Sequence, residues 1–167
     1  TGMRYGEACG LQWRHVDFKA GTIRVEPQAA GKTGQIDDPK TDKSVRTIPM
    51  PRDLADKLRP VRGLPQSYVV PSSTGSCHRN ATRYRLWDDL MARLYDIAPE
   101  IDAKEKGGRM ISVITPHYLR HNYASVLYNA GVDVLSAQRY LGHANAKITL
   151  EIYSHLSAQK EKYSAEQ

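Results

Sequence analysis

Apolar residues along this chain follow two rhythms. Thr22-Ile23-Arg24-Val25-Glu26 alternates apolar with polar positions, and with Val45-Arg46-Thr47-Ile48-Pro49-Met50 it predicts two strands of a small antiparallel sheet. Pro27 ends the first strand, and Pro49 and Pro51 place the second at an edge or an ending. Between them, Ala30 to Lys43 is rich in Gly, Asp, Lys and Thr and reads as a long basic connection. Elsewhere the rhythm is helical. Residues 4 to 14 carry Ala8, Leu11 and Trp13 and predict a short helix, closed by a turn over Asp17 to Gly21. Asp53 to Arg59 predicts a second helix. Asn80 caps a third that runs to about Ala98, with Leu86, Trp87, Leu90, Leu94 and Ile97 on one face expected in the core.

Residues 63 to 77 read as loop with one short buried segment at Tyr68-Val69-Val70, and Pro99 to Gly108 as an exposed connection. From Thr115-Pro116 onward the chain predicts helices over His117–Asn129, Asp133–Leu141 and Ala146 past Tyr153, with breaks at Gly131 and Gly142. The fold class that follows is α+β, mainly α-helical, with a small antiparallel β-sheet at one edge. At 167 residues the chain is long enough for one compact domain, and its opening, already turning into a helix, reads as the start of an excised piece.

Composition narrows the partners. A formal charge of +6 favours a polyanion. No apolar run approaches the ~18 residues of a membrane span, and nothing resembles a signal peptide, so an intracellular protein without a membrane partner is expected. Cys9 and Cys77 are far apart and lack CxxC spacing, which excludes a zinc framework and a disulfide scaffold.

The candidate chemistry lies late in the chain. His117 and Arg120, three apart on a helix, share a face and can address one ligand. A zinc hydrolase built on His117 and His121 is a rival, but the glutamate of an HExxH site is absent and Arg120 beside the ion is electrostatically poor. Neither metal nor cofactor is expected.

Four segments in order, TGMRYGEACGL, KTDKSVRTIPMP, TPHYLRHNYAS and YLGHANAKITLEIYSH, resemble the tyrosine recombinases of the phage integrase family and cover nearly the whole chain as that family's catalytic domain. The resemblance implies an integrase catalytic-domain fold over residues 1–167. It implies that the first helices of that domain and an N-terminal DNA-clamping domain are missing. It further implies site-specific cleavage and rejoining of DNA through a covalent 3′-phosphotyrosyl intermediate. Arg4 and Arg120 would grip the non-bridging phosphate oxygens, since a guanidinium matches phosphate with two prongs and keeps its proton. Glu7 would support Arg4. Tyr153, ten residues after His143, would be the nucleophile, and the site must assist its deprotonation because only about 0.1% of an ordinary phenol is ionised at pH 7. His117 and His143 would accept the tyrosyl proton or hydrogen-bond the phosphate, their individual roles left open. Lys40 would protonate the leaving 5′-oxygen, with Lys32 and Lys43 as phosphate contacts.

His121 and His155 fall outside the matching positions and are read as structural. Tyr118 stands where the family commonly has an acidic residue and Asn122 where it has threonine, so local support of that helix differs. Expected partners are double-stranded DNA, a homotetramer of the full-length protein with the fragment's own state open, and accessory DNA-bending proteins, in the bacterial cytoplasm. The polar tail after Tyr153 can dock on a neighbouring protomer or on its own chain. A type IB topoisomerase-like enzyme and a noncatalytic DNA-binding module are the alternatives.

Overall fold

The computed structural model describes residues 1–26, 45–78, 80–97 and 114–165. Lys32, Lys40 and Lys43 lie outside the described residues. The architecture is mainly helical with a three-stranded antiparallel sheet, as the two rhythms predict.

Helix α1 spans Tyr5–Cys9 only, although the pattern predicts helix to residue 14. The backbone explains the shortfall. After Gly10 the chain extends so that the Leu11 carbonyl accepts from the Val69 amide at 2.8 Å, while the amides of Trp13 and Arg14 donate to the carbonyls of Ser67 and Pro65. Gln12 pairs with Tyr68, and a 3₁₀ turn then covers Trp13–His15. Groups committed to this distant loop cannot continue a helix ladder.

Strands β1 (Val16–Asp17), β2 (Thr22–Val25) and β3 (Arg46–Pro49) lie in that order, with Val16 opposite Ile23 and Ile23 opposite Ile48. Strand β1, only two residues long, reaches into the predicted turn at Asp17. The Asp17 carboxylate accepts from the Lys19 and Ala20 amides, each at 2.8 Å, and so closes the β1–β2 turn. Alternation buries Ile23, Val25 and Ile48 with Leu11, Trp13, Val16, Met50 and Ala55, the last on helix α2 (Arg52–Leu58). β3 is an edge strand, where Pro49 is tolerated.

Helix α3 (Asn80–Ile97) forms as predicted, but its apolar face is not core. Leu90, Leu94 and Ile97 are exposed, and Met91 is the buried hydrophobic instead. In its first half the Trp87 indole donates to the Ile114 carbonyl and meets Tyr5 edge to face, and the Tyr5 hydroxyl donates to the Arg83 carbonyl. No helix among the described residues is long and apolar enough to cross a membrane.

A second core joins the last three helices: Ala124 and Leu127 of α4 (Pro116–Asn129), Ala137 and Leu141 of α5 (Val134–Leu141), and Tyr153 of α6 (Ala146–Ala165). Tyr140 packs against both cores and ties the sheet to the helices.

Candidate active site

Two glycines bring the arginines together. Gly2 has φ +66°, and a Cβ there would stand 2.4 Å from the Tyr123 ring and 3.0 Å from Leu141, so only glycine lets the segment before α1 lie against α4 and α5. Gly142 ends α5 in the left-handed conformation, with φ +65°, and a Cβ there would meet the Arg46 guanidinium at 2.7 Å. The carbonyls of the same two glycines are arginine acceptors. Arg120 donates to the Gly2 carbonyl at 2.7 Å and also to the Leu141 carbonyl, while Arg4 donates to the Gly142 carbonyl at 2.7 Å.

Arg120 is placed by the opening of α4. Thr115 caps that helix by accepting from the Tyr118 amide, and Pro116 supplies a preset first turn. The side chain reaches inward and is 4% exposed. Burial, then the charges of Arg4 and Arg46, bring its pKa down to about 10, with Glu7 opposing. It remains a cation at neutral pH.

Glu7 is the centre of the cluster. Its carboxylate accepts from the Arg4 amide at 2.7 Å and the Arg4 side chain at 2.8 Å. Both its oxygens also face Arg46, at 3.0 and 2.8 Å, in the two-pronged geometry a guanidinium prefers. Burial pushes the Glu7 pKa up, but the hydrogen bonds and charge of Arg46, joined by those of Arg4, outweigh it and hold the group below its ordinary value. Arg46 in turn donates through Nε to the Tyr140 carbonyl at 2.9 Å. Two guanidinium groups therefore share one carboxylate while Arg120 is held by backbone carbonyls, and the excess positive charge faces outward through Arg4, whose side chain is half exposed. An open cleft of about 610 Å³ adjoins, lined by Thr47, Gln138, Arg139 and His143 among others.

His143 sits just past Gly142, its Nδ1 2.9 Å from the Thr149 hydroxyl. Burial first, then the charges of Arg120, Arg4, His121 and Arg46, lower its pKa to about 4. It is a neutral imidazole at physiological pH, suited to hydrogen bonding an anion. His117 is exposed and packs edge to face on His121, with centroids 4.5 Å apart. Burial, then His117 and Arg120, lower the pKa of His121. Read from sequence as structural, His121 thus links His117 to the cluster. Among the described residues no group of three or more His, Cys, Asp or Glu side chains can hold a metal ion.

Tyr153 is not with them. It is 8% exposed, its ring meets Tyr128 edge to face at 5.2 Å, and its hydroxyl is buried without a partner among the described residues. Burial, then the charge of Asp133, raise its pKa. Asp133 caps the start of α5, whereas the arginines gather at its end; eight residues at 1.5 Å each separate the two by roughly 12 Å. Tyr128 likewise lies eight positions beyond Arg120 on α4. Of the residues expected from sequence, Arg4, Glu7, Arg120 and His143 converge, His117 flanks them, and Tyr153 stands apart.

Arg46 and Thr149, not among the residues expected from the sequence, also touch the cluster. Both carried a signal: strand alternation puts Arg46 on the inward face with Ile48, and Thr149 is one helical turn before Tyr153 on the same face.

A family model described as the phage integrase family matches residues 1–160. The chain is 28% identical to the tyrosine recombinase XerC-like protein of Caldanaerobacter subterraneus subsp. tengcongensis, covering 99% of this chain and 46% of that protein. It is 27% identical to the ICEBs1 integrase of Bacillus subtilis, covering 99% and 45%. In structure it resembles the Tn1549 transposon integrase in complex with circular intermediate DNA, with TM-score 0.69 and 26% identity over 98% of this chain and 56% of that one. A crystal structure of XerA recombinase shares the fold at TM-score 0.62 and 24% identity, covering 100% of this chain and 54% of that one. The chain spans about half the length of the curated relatives it matches.

Proposed function

The chain belongs to the phage integrase family, and from that premise we propose that it is the catalytic part of a site-specific DNA recombinase that cuts and rejoins strands through Tyr153. The observation that carries this reading is the arginine cluster around Glu7, an anion site assembled from α1, β3, α4 and the end of α5. Arg4 and Arg120 hold the non-bridging oxygens of the scissile phosphate and stabilise the charge that builds on them. His143, neutral, hydrogen-bonds the same phosphate. The Tyr153 oxygen attacks phosphorus and gives up its proton to a base at the site, with His117 as the exposed imidazole available. The bond to the 5′-oxygen breaks, Lys40 protonates that oxygen, and a 3′-phosphotyrosyl ester remains. Attack by a 5′-hydroxyl reverses these steps and rejoins the strand.

Tyr153 must leave its place beside Tyr128 to react, so α6 moves during the cycle. In the whole protein, a DNA-clamping domain, tetramer assembly on duplex DNA in the cytoplasm, accessory DNA-bending proteins and phosphate contacts from Lys32 and Lys43 complete the reading. The relatives include integrases of mobile elements, which favours that setting.

The test is denaturing capture from a pool of randomised duplexes, each nicked so that cleavage releases a short fragment and cannot be reversed. A covalent protein–DNA adduct that forms in the presence of a chelator is expected. Retention of DNA without any adduct would instead support a binding module.

A further inference from the structure

Thr149 is wholly buried, and among the described residues its hydroxyl has a single hydrogen-bond partner, Nδ1 of His143 at 2.9 Å. A hydroxyl has one proton to place and two lone pairs, and a buried O–H left unused costs more than an unused lone pair. In α6 the alternative acceptor would be a carbonyl one turn back, as Ser164 uses with Lys160, but Thr149 makes no such bond. Its proton therefore points at Nδ1. A neutral imidazole that accepts at Nδ1 carries its own proton on Nε2.

Nε2 is the nitrogen left for a ligand. It has no partner among the described residues, yet it is not one of the buried unpartnered atoms, which are both ring nitrogens of His78 and the Tyr153 hydroxyl. The charges of Arg4, Arg46 and Arg120 all act on this ring, so an anion held by those guanidiniums lies within reach of its electrostatic field.

We infer that Thr149 is a positioning residue that fixes His143 as the Nε2–H tautomer, so that the imidazole presents a hydrogen-bond donor, and not a base, to the phosphate. This rests on the recombinase reading for the identity of the anion. Thr149 and Tyr153 lie one turn apart on α6, so the helix that carries the nucleophile also sets the state of the donor.

The test combines histidine-selective ¹⁵N NMR of the 167-residue chain, with His143→Gln used to assign the resonance, and single-turnover adduct formation on a captured duplex. A pyridine-like Nδ1 and a pyrrole-like Nε2 are expected at His143. Thr149→Val should move the ring toward the other tautomer and slow adduct formation on the order of tenfold with DNA binding unchanged, while Thr149→Ser should preserve both. A protonated Nδ1 in the unaltered chain overturns the proposal, and so does an equal loss in the Ser and Val variants, which would place the effect in packing. The NMR readout needs no DNA, so it decides the tautomer even if no adduct forms and the recombinase reading itself fails.

Discussion

The arginine cluster and the surroundings of Tyr153 lie at opposite ends of the same helix, α5, and are built on opposite principles. At the helix end, each guanidinium is tied to backbone carbonyls or to Glu7, and glycines at positive φ remove the side chains that would block the approach. At the helix start, Tyr153 is held by ring contacts and apolar burial, with its hydroxyl unpaired. Directional bonds fix the guanidiniums in place without a ligand, which is what electrostatic preorganisation of the proposed phosphate site requires. Nondirectional packing holds Tyr153 in a place from which it can be withdrawn without breaking a hydrogen bond among the described residues. The arginine end is assembled by directional bonds, and the Tyr153 end by packing.

The largest contrast should come from removing the charge at the centre of the cluster. Glu7→Ala leaves Arg46 buried without its counter-ion and is expected to cost about 3 kcal/mol in urea unfolding. A cost below that of an ordinary surface change would contradict a preassembled cluster.

Acid should act on the same end of α5. His143 titrates near 4 in the folded chain against an ordinary 6.5, so the unfolded chain takes up the proton first as pH falls. Its stabilisation is fully present above about pH 6.5 and is lost as pH falls toward 4. His121 shifts in the same direction, so the informative quantity is the difference between the parent chain and His143→Gln, whose stability should fall less steeply across that window. Glu7, also held low, acts in the same direction at lower pH: its share is fully present above the ordinary carboxylate pKa and is lost as pH falls below it.

The smallest expected change, and of the other sign, is at the start of α5. Tyr153→Phe removes a buried hydroxyl with no partner among the described residues and should leave stability unchanged or raise it by up to about 1 kcal/mol. A clear loss would mean the hydroxyl is bonded and the two ends are more alike than described.

Much of this was legible in residue order. Thr115-Pro116 announced the helix that carries Arg120, alternation placed Ile23 and Val25 inward, and the glycine after Leu141 marked the turn before His143. What stayed hidden depends on distant partners. The backbone of residues 11 to 14 is claimed by residues 65 to 69, which shortens α1 in a way no local pattern records. The apolar stripe of α3 is real, but a stripe does not name what covers it. Arg46 reads as one more basic residue until the carboxylate it grips, thirty-nine positions earlier, is known. The separation of Tyr153 from the arginines is likewise a property of packing, which its spacing from His143 along the chain does not record.

The most direct test is to locate the covalent bond. The captured protein–DNA adduct is digested and the modified peptide sequenced by mass spectrometry, beside a Tyr153→Phe chain treated identically. The account predicts a 3′-phosphate linked to Tyr153 in the parent chain, and a variant that binds the duplex as before without forming any adduct. A linkage at another residue, or an adduct that persists in the variant, would contradict it.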